Sequence, residues 1–233
     1  MNEIIGLKRG FLISFEGVDG SGKDCQVDLL RQALQKTGFE VSVFRCPGDT
    51  KIGELVRTIV KDPENKNICK AAELYLMNAS HAQLVHEKIV PALKEGHIVI
   101  CNRFIYSTVV YQYYGRQIDP AIVEAVIHFA VGDCFPNLTF MLDLSDEESA
   151  KRLAKRGTTD RFEQEDKDFQ ARVRAGYDWL KSLENQSQGK IIAIDAAGTP
   201  ETVHTEIWRC VAAKISALNK DQLAVNFEKK IKI

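Results

Sequence analysis

Short apolar runs alternate along this chain with longer stretches in which apolar residues recur every three or four positions. The runs at 11–16, 40–44, 97–101, 138–144 and 190–195 read as strands. Between the first two, Val27, Leu30, Ala33 and Leu34 fall at helical spacing over 24–37, and Gly38 stops the helix. Pro47 and Gly48 break the second strand, and 52–60 reads as a short helix. A long helical stretch over 70–93 carries Pro91 near its end, where it is expected to bend or divide it, and Gly96 closes it. Two helical patches follow at 108–114 and 120–131. Further helices are expected at 146–156, with Asp146 near its start, at 166–183 and at 200–218. The segment 157–164 is charged and has no apolar period, so it reads as an exposed loop.

Strands that alternate with helices predict an α/β fold: a five-stranded parallel sheet with helices on both faces. A single domain is expected over 1–218, with no repeat or linker. The tail 219–233 is left open between a strand, an arm and disorder.

Composition narrows the function classes. The chain has 233 residues, 45% hydrophobic and 27% charged, with a formal net charge of -1. That balance argues against a nucleic-acid-coating protein. No signal peptide and no apolar run of membrane-spanning length is read, so no membrane partner is expected. The six cysteines include no Cys-x-x-Cys pair. Cys101 sits in an apolar run and reads as a small buried hydrophobe. A reducing cytoplasm with free thiols is the expected setting.

The strongest chemical signal joins the first strand to the first helix. Gly17, Gly22 and Lys23 satisfy Gly-x-x-x-x-Gly-Lys, with Gly20 and Ser21 inside the loop. Such a loop turns backbone N–H groups toward phosphate oxygens, the helix N-terminus adds partial positive charge, and the lysine neutralises the outer phosphates. This predicts the P-loop NTPase fold and ATP as phosphate donor. The residue after the lysine, usually a Mg²⁺-holding Ser or Thr, is here Asp24, followed by Cys25. Three readings stand: Asp24 binds in the Mg²⁺ shell, it favours the helix N-terminus electrostatically, or it repels the triphosphate and marks lost catalysis.

Five segments in order, from Phe11 to about Val211, resemble thymidylate kinases of the bacterial type. They are the phosphate loop; Arg45 with Pro47 and Gly48; Asn102, Arg103 and Phe104 followed by Ser107, Tyr111 and Gln112; the lid from Arg152 to Glu163; and Asp195 with Ala196, which resembles the start of the adenine-surrounding loop. The resemblance implies transfer of the ATP γ-phosphate to a deoxynucleoside monophosphate, by default dTMP, with Mg²⁺. It implies one nucleoside-monophosphate-kinase domain with a small lid at about 156–164. Arg45 and Arg103 stand just beyond predicted strand ends and are expected on the monophosphate. Asp19 looks like the residue that accepts from the sugar 3′-hydroxyl, and Tyr111 like the ring that favours deoxyribose. Ser107, Thr108 and Gln112 complete the expected monophosphate wall. In this bacterial type a lid arginine swings onto the transferring phosphate; Arg156 and Arg161 are expected to serve, with Glu163 orienting Arg161.

Several positions depart from the family pattern. The Asp before the motif arginine is Asn102, expected to reach the metal through water. The base-stacking Phe and base-reading Arg are replaced by Met77 and His81, four residues apart on one helical face. These departures keep two alternatives open: a kinase for a different or modified pyrimidine monophosphate, and a catalytically impaired relative acting as regulator or scaffold. Small-molecule nucleotides are the expected partners. By analogy, a homodimer pairs through the long helices at 70–93 and 119–131.

Overall fold

The computed structural model describes residues 10–154, 157, 160–184 and 190–218. Five strands form one sheet in the order β2-β3-β1-β4-β5, every neighbouring pair parallel. They are β1 Phe11–Gly17, β2 Val41–Arg45, β3 Ile98–Asn102, β4 Leu138–Asp143 and β5 Ile191–Asp195. The chain runs outward from β1 to β2, returns to β3, then crosses to β4. Strand order therefore reverses beside β1, and the crevice beyond the carboxyl ends of β1 and β3 is where such sheets bind ligands.

Alternation along β1 assigns its side chains to the two faces. Phe11, Ile13 and Phe15 pack with α1 (Lys23–Lys36) and α9 (Pro200–Leu218), through Leu30, Leu34, Ile207 and Val211. Leu12, together with Val99 and Cys101 of β3, packs on the other face. There it meets α3 (Lys70–Leu84), α5 (Ile105–Thr108) and α6 (Pro120–Val131). A buried hydroxyl pair interrupts this face: Ser14 Oγ lies 2.8 Å from Thr139 Oγ1 across β1 and β4. Each hydroxyl there satisfies the other, which buried polar groups require. Farther along, α8 (Lys167–Ser182) adds Phe169, Val173 and Tyr177 to a third cluster with Val56 and Val60 of α2 (Lys51–Lys61).

The five strands and the helices over 120–131 and 200–218 match the sequence pattern. The helical stretch read over 70–93 is three elements: α3, a wide π-helical turn Val85–Ile89, and α4 Val90–Lys94. Pro91 has no N–H to return to the preceding turn, and it sits instead in the first turn of α4, where no donor is needed. The patch read over 108–114 is likewise a π-helical turn, Val109–Gly115, continuing from α5. π-turns are sequence-silent because apolar spacing of three to four tolerates one extra residue. The helix over 146–156 is α7, Asp146–Ala154. The lid reading at 156–164 lies partly, and the tail at 219–233 wholly, outside the described residues. No helix among the described residues is long and apolar enough to cross a membrane.

Candidate active site

A cavity of about 500 Å³ opens beyond the carboxyl ends of β1, β2 and β3. The loop after β1 forms its floor. Gly17 has φ 140°, and a Cβ there would come 2.5 Å from the Leu142 carbonyl oxygen. Gly22, immediately before α1, is left-handed with φ 88°. Both positions therefore require glycine. Lys23 is buried, and its Nζ donates to the carbonyls of Gly17 at 3.0 Å and Val18 at 2.8 Å. Ser21 is buried beneath the loop, its Oγ 3.4 Å from the same amine. Burial and the neighbouring Arg103 guanidinium bring the Lys23 amine down to about 7.

A second group of residues faces this lysine. Arg103, the residue after β3, has φ 64°, unusual for a residue with a side chain. Its guanidinium pairs with Asp19 Oδ1 at 2.6 Å and donates to Tyr177 Oη at 2.5 Å and Ser107 Oγ at 3.2 Å. Burial alone would raise the Asp19 carboxyl, but Arg103 and Lys23 outweigh it and hold it well below the usual carboxylate range. Tyr111 lines the cavity with its hydroxyl 3.4 Å from Asp19 Oδ2. Beneath them, fully buried Glu16 accepts from the Phe104 amide at 2.8 Å and the Ser107 hydroxyl at 2.6 Å. Glu16 thus fixes the start of α5, and through Ser107 the arm of Arg103.

Arg45, at the end of β2, reaches the cavity but is half-exposed and held by Glu54 at 2.8 Å and Asp49 at 3.4 Å. Arg57 of α2 also lines the cavity, donating to the Pro47 carbonyl at 2.9 Å. Sequence reading missed Arg57. Its only signal was a place one helical turn after Gly53, at the start of a helix that follows the Pro47-Gly48 turn. Met77 of α3 also lines the cavity. Arg152 of α7 bonds Glu148 at 3.1 Å and reaches the carbonyls of Gly20 at 3.4 Å and Ala196 at 3.2 Å. It therefore ties the phosphate loop to the segment after β5.

Other expected residues lie behind the cavity wall. His81 is buried edge-on to Phe104 with ring centroids 5.5 Å apart, and does not line the cavity. Burial alone lowers its imidazole to about 4, so it is neutral and cannot replace a charged arginine. Thr108 and Gln112 are also wholly buried off the cavity. The atoms His81 Nδ1, Thr108 Oγ1 and Gln112 Oε1 find no hydrogen-bond partner among the described residues. Thr108 and Gln112 each follow by one residue a side chain that lines the cavity, Ser107 and Tyr111, and so lie on an adjacent face turned into the core.

The largest correction concerns Arg161. It is not a free lid arginine: only 4% of its side chain is exposed, and it pairs with fully buried Glu73 at 2.6 Å. It also donates to the Val60 carbonyl at 2.8 Å and lies over the Phe162 ring at 4.4 Å. Its acid is Glu73 rather than Glu163, whose carboxylate accepts from the Asp160 amide at 3.3 Å. Glu73 also holds Arg116 at 2.8 Å and Gln112 at 3.0 Å. Arg156 lies outside the described residues.

No cluster of three or more metal-ligating side chains occurs among the described residues. Asp24 and Asn102 both line the cavity beside Lys23 and offer hard oxygen atoms.

Comparisons with known proteins identify the family. A sequence-family model described as thymidylate kinase matches residues 15–207. The thymidylate kinase of Halothermothrix orenii is 40% identical over 206 residues, spanning 87% of this chain and 97% of the relative. That of Caldanaerobacter subterraneus subsp. tengcongensis is 42% identical over 203 residues, spanning 87% and 95%. The crystal structure of thymidylate kinase from Ehrlichia chaffeensis superposes with a TM-score of 0.70 at 28% identity, covering 87% of this chain and 99% of that one.

Two predictions follow from the charges. Phosphate favours the ammonium form of Lys23, so triphosphate affinity is expected to fall as pH rises through about 7. Calorimetry at about pH 8 in buffers of different ionisation enthalpy should show proton uptake on binding that Lys23→Arg abolishes; equal uptake in both proteins contradicts the burial argument. Glu73→Gln leaves Arg116 and Arg161 short of their shared anion. It is expected to cost about 3–5 kcal/mol in urea denaturation. Burial opposes ionisation of Glu73, but its two arginines hold the carboxyl below its ordinary value, so this contribution is lost as pH falls through the carboxylate range.

Proposed function

Given that this chain belongs to the thymidylate kinase family and phosphorylates dTMP to dTDP with ATP, we propose that Lys23 and the loop amides hold the donor while Arg57 and Arg103 hold the acceptor. The observation that carries this division is that one cavity is lined by both the phosphate-loop lysine and these arginines. Phosphoryl transfer brings two anions together, and their repulsion must be cancelled.

In this reading an oxygen of the dTMP phosphate attacks the γ-phosphorus in line. The bond to the β–γ bridging oxygen breaks and ADP leaves. No general base is required, because the attacking oxygen is already anionic. Lys23 sits where it can follow charge from the γ-phosphate to the leaving group. Arg152, rather than buried Arg161, is the described lid-side cation nearest the loop. Asp19 stands where a sugar hydroxyl would donate, and Tyr111 forms the adjoining wall. Mg²⁺, when bound with ATP, neutralises phosphate charge, and the oxygens of Asp24 and Asn102 suit a hard cation.

Met77 supplies a polarizable surface to the base in place of an aromatic ring. Since His81 is neutral and withdrawn, the reading of a different or modified pyrimidine retains one supporting observation. The regulator or scaffold reading, which Asp24, Cys25, Asn102, Met77 and His81 suggested, gains nothing further: Asp24 and Asn102 bond to one another, and the cavity keeps Lys23, Arg45 and Arg103. We read residues 10–218 as one catalytic unit in a reducing cytoplasm, where the six free cysteines stay as thiols.

We also propose a homodimer. Ile52, Leu55 and Ile59 form an exposed stripe along α2, and Ile122 and Phe129 share a face of α6, with Phe129 95% exposed.

Purified protein should turn over dTMP in an ADP-release assay, ahead of dUMP, dCMP and dGMP. Absence of dTMP turnover would sink the reading, and strong exclusive dTMP use would discard the altered-pocket alternative. Arg57→Ala is expected to raise the dTMP KM about 10- to 100-fold, the weight of a lost charged hydrogen bond. Sedimentation velocity should give a dimer, and Phe129→Asp should shift it toward monomer.

A further inference from the structure

Two departures from the family pattern touch each other. Asp24 stands in the first turn of α1, directly after Lys23, and Asn102 ends β3. They are 78 residues apart in sequence, yet Asn102 Nδ2 donates to Asp24 Oδ1. Both line the cavity that contains Lys23.

The usual arrangement places a hydroxyl at the helix position and a carboxylate at the strand end. Here the carboxylate is on the helix and the hydrogen-bond donor is on the strand. The pair still has one negative charge and one hydrogen bond, with the carriers exchanged. We infer that the exchange is functional: Asp24 is the carboxylate that faces the metal of bound ATP, and Asn102 is the positioning residue that aims it. The inference rests on reading the cavity as the seat of metal-bound ATP.

Three observations support it. First, Asp24 has no ion-pair partner among the described residues, although cations crowd the cavity. Its charge is left for a ligand. Second, the contact uses one oxygen of the carboxylate and the nitrogen of the amide. Asp24 Oδ2 and Asn102 Oδ1 remain as hard oxygen donors, the kind a phosphate-bound magnesium takes from protein. Third, an Asn side chain is the conservative partner for a carboxylate at this contact. An Asp at 102 would set two negative charges against each other, whereas the amide donates. A mere helix-terminus role for Asp24 leaves the change at Asn102 unaccounted for, because that role needs no partner on the strand.

The exchange predicts that restoring either family residue alone is harmful, and that restoring both is not. Mn²⁺ serves as the probe, with ADP and no dTMP, and bound Mn²⁺ is read by electron paramagnetic resonance. Asp24→Ser and Asn102→Asp are each expected to weaken Mn²⁺ binding to the ADP complex about tenfold or more, the usual weight of a disturbed metal neighbour. The double variant Asp24→Ser/Asn102→Asp is expected within about threefold of the parent, a coupling that independent sites do not show. Asp24→Asn, which keeps the shape and removes the charge, should weaken binding as Asp24→Ser does, and serves if the serine variant does not fold. Losses that simply add in the double variant, or an Asn102→Asp protein that binds Mn²⁺ as tightly as the parent, overturn the inference. Neither outcome touches the kinase reading, which parent turnover of dTMP tests separately.

Discussion

A phosphate site must gather positive charge before any phosphate arrives, and buried charge without a partner is costly. The cavity meets this constraint by giving each cation a stand-in. Lys23 bonds two loop carbonyls, Arg103 pairs with Asp19, and Arg57 with the Pro47 carbonyl. Arg45 rests on Glu54, Lys61 on Asp160, and Arg152 on Glu148. Arg57 and Lys61 each rest on a single contact, and Arg45 on partly exposed carboxylates, so a phosphate can replace these without dismantling the fold. Arg161 and Arg116 differ. Their shared carboxylate is fully buried and serves both at once, which is the arrangement of a structural joint.

The scaffold beneath these charges was largely readable from the chain. Five apolar runs and the helices between them gave the parallel sheet, and the glycine spacing gave the loop. Boundaries shifted where a wide turn replaced an α-helical one, at Val85–Ile89 and Val109–Gly115. Apolar periodicity cannot register one extra residue in a turn. Within the site, helical spacing alone did not fix which side chains reach the cavity. Met77 and His81 share a helical face by count, yet only Met77 reaches the cavity. Ser107 and Tyr111 reach it too, while Thr108 and Gln112 point behind it.

Arginines were the hardest to read. Their long side chains reach partners far away in sequence, so position on an element does not fix destination. Arg103 was legible because it ends a strand beside the phosphate loop. Arg161 looked available because its neighbours in sequence are charged, but its partner Glu73 is 88 residues distant. Arg57 carried no motif of its own, and it lines the cavity from α2 with its guanidinium on the Pro47 carbonyl.

The hydroxyl pair at the centre of the sheet has a consequence for how this sequence can drift. Ser14 and Thr139 lie 125 residues apart and close each other's hydrogen bond in a place water does not reach. Replacing one with an aliphatic residue strands the other, at roughly 1–3 kcal/mol, whereas replacing both removes the debt. Along a lineage, the two sites therefore behave as one heritable character. Descendants should carry either both hydroxyls or neither, and mixed forms should be short-lived intermediates.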